Sequence, residues 1–251
     1  MSLSVDLNAD LGEGAGHDEQ LLALVTSANI ACGFHAGGAG MMRSALASAR
    51  ERGVAAGAHP SLEDRENFGR REIEIGDDEV YAIVLYQLGA FAALAKSCSV
   101  HVQHVKPHGA LYNMAARDEA IADAIARAVH MVDPALLVFA PAHSELARAA
   151  EARELRVAHE VFADRNYLPD GSLVPRSHPE ALLHDPEEAA NRVFGMLRDG
   201  KVRAIDGSDV AVQVDTICVH GDTPDAVSFA LALRQCLFQV GVMIAPPRSA
   251  S

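Results

Sequence analysis

Tryptophan is absent from this 251-residue sequence, aromatic residues make up only 5% of it, and cysteine occurs four times. Cys32, Cys98, Cys218 and Cys236 lie far apart and form no CxxC pair, so neither a zinc knuckle nor a disulfide framework is expected. Basic residues are also scarce, 21 Lys and Arg against 34 Asp and Glu for a formal charge of −13. Such a surface disfavours an electrostatic grip on nucleic acid or on an anionic membrane. The opening stretch MSLSVDLNADLGEG has neither a basic segment nor a hydrophobic signal core, and no later run reads as a membrane span. A soluble, cytoplasmic protein is expected. Several signatures are missing as well. There is no GxxxxGKS/T phosphate loop, no HExxH and no GxSxG elbow, and the glycines of LGEGAG and HAGGAG do not fit a dinucleotide fingerprint.

What is present is aliphatic: 49% of the residues are hydrophobic, enough for a large core in one domain of barrel size. Short apolar runs alternate with longer helical patterns. Strands are predicted at 4–10, 28–34, 54–60, before and through VKPHG, at 136–142, 156–165 and 214–222. Helices are predicted at 18–27, 41–52, 78–97, 118–132, 144–154, 187–198 and 224–240, with a hairpin in 201–214 around IDGS. Seven strand-then-helix units without internal repeats imply a parallel α/β architecture. A closed β/α barrel is favoured over an open sheet, because polar residues recur after nearly every strand instead of gathering at one switch point.

The stretch VKPHGALYN (105–113) is the clearest of these strand exits, placing Lys106 and His108 two residues apart before a glycine and a helix start. A lysine at an apolar strand end is costly without a partner or a task. Asp6, Asn8 and Asp10 alternate along the first strand and would point inward together, although Asp and Asn also serve as turn and cap residues. His35 and His59 end the second and third strands, Glu160 and Asp164 with Arg165 follow the sixth, and His220 and Asp222 follow the seventh; the fifth is quiet until His143. Glu13 reads equally well as a first-turn dipole residue or a catalytic one. His104 and His108, four apart on a strand, would be about 13 Å apart, too far to share a metal. Histidines and carboxylates without an activated Ser or Cys suggest hydrolysis by activated water, with Lys106 offsetting negative charge on a tetrahedral intermediate. Arg65, Arg70, Arg71 and Arg165 flank the long loops and offer forks for an anionic group. The residues alone lead to a hydrolase of a small anionic substrate, not to the bond cleaved.

The blocks VDLNADLGEG, SANIACGFHAG, GAHPSLEDRENFGRR, HVKPHGALYN, EVFADRNYLPDGSLVPRS and CVHGD, in that order, closely resemble the LamB/YcsF (PxpA) family, the A subunit of prokaryotic ATP-dependent 5-oxoprolinase. The resemblance covers nearly the whole chain. It implies a seven-stranded, TIM-like β/α barrel of the glycoside hydrolase/deacetylase type. The implied reaction opens the lactam of 5-oxo-L-proline to L-glutamate, coupled to ATP hydrolysis with subunits B and C, ATP entering through those partners. Carried onto this sequence, Asp10, His59, Lys106 and His108 are the expected catalytic residues. Asn8, His35, Arg70, Asp164, Arg165 and His220 are the expected substrate contacts. Related deacetylases hold a divalent metal with one Asp and two His, for which Asp10, His35 and His59 are the expected set. One departure stands out: where the family reads HAGD, this sequence reads His35-Ala36-Gly37-Gly38, so an acidic side chain that either caps a helix or serves the site is missing. A stand-alone metal-dependent amide or N-acetyl hydrolase, and a non-catalytic binding subunit, are the competing expectations.

Overall fold

The computed structural model describes residues 3–219 and 226–247. His220 and Asp222 lie outside the described residues. Six parallel strands, β1 (Ser4–Leu11), β2 (Ser27–Ala31), β3 (Ala55–His59), β4 (Val102–Val105), β5 (Leu137–Ala140) and β6 (Arg156–Phe162), pair in chain order. The hairpin β7 (Lys201–Arg203) and β8 (Asp209–Ala211) interrupts the sequence before β9 (Thr216–Val219), which pairs with both β6 and β1 and closes a seven-stranded barrel. Asn8 is thus opposite Ser27 on one side and Cys218 on the other. A short β10 (Met243–Ile244), not expected from the sequence, adds to the start of β1 at Ser4 and Val5.

Around the barrel lie α1 (Asp18–Leu22), α2 (Ala39–Arg52), α3 (Asp77–Ser97), α4 (Gly109–Arg117), α5 (Glu119–Val132), α6 (Glu145–Ala152), α7 (Pro186–Asp199) and α8 (Ala226–Gln239). Their limits follow local chemistry. Asp118 accepts from the Ala120 and Ile121 amides to cap α5, Ser144 accepts from Ala147 to cap α6, and Asp185 caps α7 ahead of Pro186. Gly53 and Gly200 end α2 and α7 in the left-handed region that glycine enters without strain. Two further limits have the same kind of cause, the first of them a departure from expectation. α1 stops at Leu22 because Thr26 and Ser27 are drawn to Asp6. The segment after β4 holds two helices, since Asp118 ends α4 as it caps α5.

The alternation on β1 sorts two environments. Leu7, Ala9 and Leu11 join the aliphatic core shared with Leu46, Val84, Phe91, Ile125 and Val129 on the helices, whereas Asp6, Asn8 and Asp10 make their contacts inside the barrel. α3 is long and apolar enough by composition to cross a membrane. In the fold it packs against α5 and buries Val80, Val84, Leu88 and Phe91. Its buried Gln87 also grips the loop after β3, accepting from the Ser61 amide and donating to the Ser61 carbonyl.

Candidate active site

Lys106 follows β4 directly, and its amide donates to the Ala58 carbonyl of β3, which fixes where the side chain enters the barrel. The ammonium is 3% exposed and lies 3.1 Å from Asp10 Oδ1 and 2.9 Å from Glu160 Oε1. It also donates to Asn8 Oδ1 at 3.3 Å and to Cys218 Sγ at 3.0 Å, and it faces the Phe162 ring. Burial would depress the Lys106 pKa, but the surrounding negative charge, led by Asp10, holds it well above the ordinary lysine value. Glu160 contributes to that charge, whereas burial keeps Cys218 a neutral thiol. The cation is therefore permanent at physiological pH. Tyr112, one turn into α4, donates to Glu160 Oε2 at 2.7 Å, and burial beside that carboxylate keeps its phenol protonated.

A second polar layer holds these groups from below. Asn8 donates to Glu160 and Thr216 and accepts from Asn29 at 2.6 Å. Asn29 donates to Asp10 Oδ1 at 2.8 Å and accepts from His104 Nε2 at 2.8 Å. The His104 ring reaches Asn29 only because β3 carries Gly57 opposite it: a Cβ there would lie 2.2 Å from the imidazole. Burial lowers the His104 pKa to about 3, so it stays a neutral donor. At the bottom, Asp6 accepts from Thr26, Ser27 and Thr216.

Beside Lys106 stands a histidine cluster. His59 Nδ1 donates to the Lys106 carbonyl at 2.7 Å, and His108 Nε2 donates to the Phe68 carbonyl at 2.9 Å. Phe68 has φ 57°, an uncommon value for a bulky residue, and that conformation aims its carbonyl at His108. The His35 ring stacks on His108 at 3.8 Å, and its Nε2 lies 3.1 Å from Glu13 Oε1. Burial, with His59 nearby, pushes the His35 pKa down to about 2, and burial with His35 and His59 holds His108 well below the ordinary range. Asp10 Oδ1 lies 3.5 Å from His59 Nε2 and joins this cluster to the lysine.

Above these groups opens a cavity of about 870 Å³ at the end of the barrel where the strands terminate, the end at which β/α barrels carry their sites. Asp10, His59, Lys106, His108, Tyr112 and Glu160 form its floor. Arg70, Arg165 and Arg176 line its wall, and hairpin residues Val210 and Val212 its rim. Arg165 is 7% exposed; one amino group donates to the Val174 carbonyl, while its Nε has no hydrogen-bond partner. Burial and the charge of Arg176 lower its pKa to about 10, so it remains a cation facing the cavity.

Asp10, His59, Lys106, His108, Arg70 and Arg165 are thus brought together as the sequence suggests. Asn8, His35 and Asp164 are not on the cavity wall. Asn8 is fully buried with its amide engaged by neighbours beneath Lys106, so it positions charge instead of touching substrate. His35 is buried behind His108. His220 lies outside the described residues. Arg65 pins the Gly33 and Gly37 carbonyls, and Arg71 lies exposed near Asp64. The expected metal set of Asp10, His35 and His59 is also regrouped. The donors that converge within 4.8 Å are Glu13, His35, His59 and His108, because Asp10 Oδ1 is held by Lys106 and Asn29. The sequence marks Glu160 at the sixth strand exit without giving it a role, and it does not mark Tyr112; both belong to the cavity floor. A glutamate inside the apolar run of β6 is the signal for the first; Tyr112 offers none.

Gly38, the departure noted in the sequence, is the N-cap of α2 and gives it no side-chain cap; it is not on the cavity wall.

The chain matches the LamB/YcsF family over residues 5–251. It is 47% identical to the lactam utilization protein from Thermus thermophilus, with a TM-score of 0.89 over 97% of this chain and 99% of that one. A protein from Enterococcus faecalis assigned to cellobiose-phosphate cleavage superposes with a TM-score of 0.59 at 14% identity, covering 98% of both chains. A family 4 carbohydrate esterase from Streptomyces lividans gives 0.50 at 10% identity over 99% of this chain and 97% of the esterase. The last two share the barrel fold alone.

Proposed function

The chain belongs to the LamB/YcsF family, and from that premise we propose that it is a hydrolase of lactam utilization that opens 5-oxo-L-proline to L-glutamate as the A subunit of an ATP-dependent 5-oxoprolinase. The observation that carries this reading is the permanently charged Lys106, buried between Asp10 and Glu160 on the floor of the cavity. A lactam carbonyl becomes an oxyanion when water adds, and a fixed cation in a water-poor site stabilises that charge more than bulk solvent does.

Arg165, with Arg70 and Arg176 on the same wall, holds the substrate carboxylate. Asp10, on the cavity floor beside the Lys106 ammonium at 3.1 Å, accepts the proton of the attacking water. The carbon–nitrogen bond then breaks and the proton passes to the departing ring nitrogen, which gives the free amine; the oxygen activated at the expense of ATP leaves the other end as an acyl phosphate, and a second water cleaves that to inorganic phosphate and the side-chain carboxylate of glutamate. Amide resonance makes an unactivated lactam a poor electrophile. ATP spent by subunits B and C to activate the lactam oxygen fits a chain with no phosphate loop of its own. A cytoplasmic reaction accords with that use of ATP.

The test is glutamate release from 5-oxoproline by this chain with ATP, with and without the candidate B and C chains. Release only from the complete mixture is expected. Release without ATP or partners would instead support a stand-alone amide hydrolase. Equal release by B and C alone would make this chain a non-catalytic subunit.

A further inference from the structure

His59 and His108 each have one ring nitrogen assigned by its neighbour. A carbonyl oxygen only accepts, so the Lys106 carbonyl at 2.7 Å fixes the hydrogen of His59 on Nδ1, and the Phe68 carbonyl at 2.9 Å fixes that of His108 on Nε2. The remaining nitrogens, His59 Nε2 and His108 Nδ1, then face each other as bare lone pairs 2.9 Å apart. Two acceptors at that distance repel unless a cation lies against both.

From these contacts we propose that Glu13, His35, His59 and His108 form a binding site for a divalent transition metal ion of the zinc class. The donors fit such an ion. Glu13 Oε1 is 3.1 Å from His35 Nε2, 3.6 Å from His108 Nδ1 and 3.9 Å from His59 Nε2. A tetrahedral ion with bonds of about 2.1 Å sets its ligands about 3.4 Å apart, and the distances found straddle that value. A proton shared between two imidazoles would not use the carboxylate and the third ring that converge on the same point. Two of the three ligand rings, His59 and His108, are oriented by backbone carbonyls, the usual outer support of a metal-bound histidine. Imidazole and carboxylate donors suit zinc and its neighbours better than calcium or magnesium. An ion here would acidify a water that it binds.

The site follows from the donor atoms alone and goes beyond the hydrolytic reading, and it is tested without turnover. The full-length chain is freed of metal with a chelator and titrated with Zn2+ by calorimetry, and with Co2+ by visible absorption. The parent is expected to bind one ion and to give the d–d bands of a tetrahedral Co2+ site. Glu13→Gln and His108→Asn, each first shown by circular dichroism to be folded, should weaken Zn2+ binding about a hundredfold or more; Glu13→Gln alone suffices if His108→Asn does not fold. Absence of stoichiometric binding would overturn the proposal, as would binding that neither substitution weakens. An imidazolium shared by His59 and His108 in the 15N spectrum of the metal-free and metal-treated protein alike would also overturn it.

Discussion

Lys106 and Glu160 follow from strands that are not neighbours, β4 and β6, yet their Nζ and Oε1 atoms meet 2.9 Å apart inside the barrel. The ammonium therefore does more than serve substrate: it neutralises two carboxylates that burial would otherwise make costly.

Lys106→Met is accordingly expected to cost about 3–5 kcal/mol of stability, as removal of one partner from a buried ion pair does. In urea unfolding, Glu160→Gln added to Lys106→Met should recover part of the loss, giving a non-additive cycle. Strict additivity would show that the contact between the two residues carries no coupling.

Gly69→Ala should damage the histidine cluster. With φ +66°, an added Cβ would lie 2.4 Å from Ser61 Oγ, 2.8 Å from His35 Cβ and 3.0 Å from His108 Cδ2. Overpacking of this kind costs about 1–3 kcal/mol, and the displaced rings should lower kcat well below that of the parent at temperatures where both are folded. An unchanged kcat would mean that the position of His108 is not critical.

Gly38→Asp tests the departure from the family pattern. Gly38 has an extended backbone, nothing within 4 Å of a built Cβ, and heads a helix with no acidic residue in its first turn. An aspartate there is expected to raise stability by a few tenths of a kcal/mol through capping and to leave turnover unchanged. A large rise in turnover without a change in melting temperature would assign that side chain to the site instead.

Asp6 predicts a pH dependence. Burial, helped by the charge of Glu160, outweighs three hydroxyl donors and raises its pKa from 3.8 to about 6. The folded protein thus binds this proton more tightly than the unfolded chain. The stability it contributes is fully present below pH 3.8 and is lost as pH rises through 6, a change of about 3 kcal/mol. Asp6→Asn removes that dependence, so the variant should gain on the parent in urea unfolding between about pH 4 and pH 7. Parallel pH profiles would contradict it.

The barrel was legible because periodicity and strand-exit chemistry act locally. Alternation along SVDLNAD placed Asp6, Asn8 and Asp10 inside, and the apolar runs located every barrel strand. What a single strand cannot show is depth: Asp10 reaches the cavity floor, while Asn8, one alternation earlier, is sealed beneath Lys106. The partnership of Lys106 with Glu160 and the approach of Glu13 to His108 depend on barrel closure and loop conformation, which bring together residues 54 and 95 positions apart in sequence. Asn67 and Gly69 announce a turn around Phe68, but not that the bulky residue between them takes the left-handed conformation that orients His108.

The most direct measurement of the central claim is glutamate release in the ATP-dependent three-chain mixture with Asp10→Asn in place of the parent chain, folding being checked by circular dichroism. Asp10 lies on the floor between Lys106 and His59 and is the proton acceptor beside the charge-stabilising ammonium. Removal of its charge is expected to lower turnover at least about a hundredfold, the scale of general acid–base catalysis. Turnover within about twofold of the parent, on a scale where tenfold is about 1.36 kcal/mol, would contradict the account.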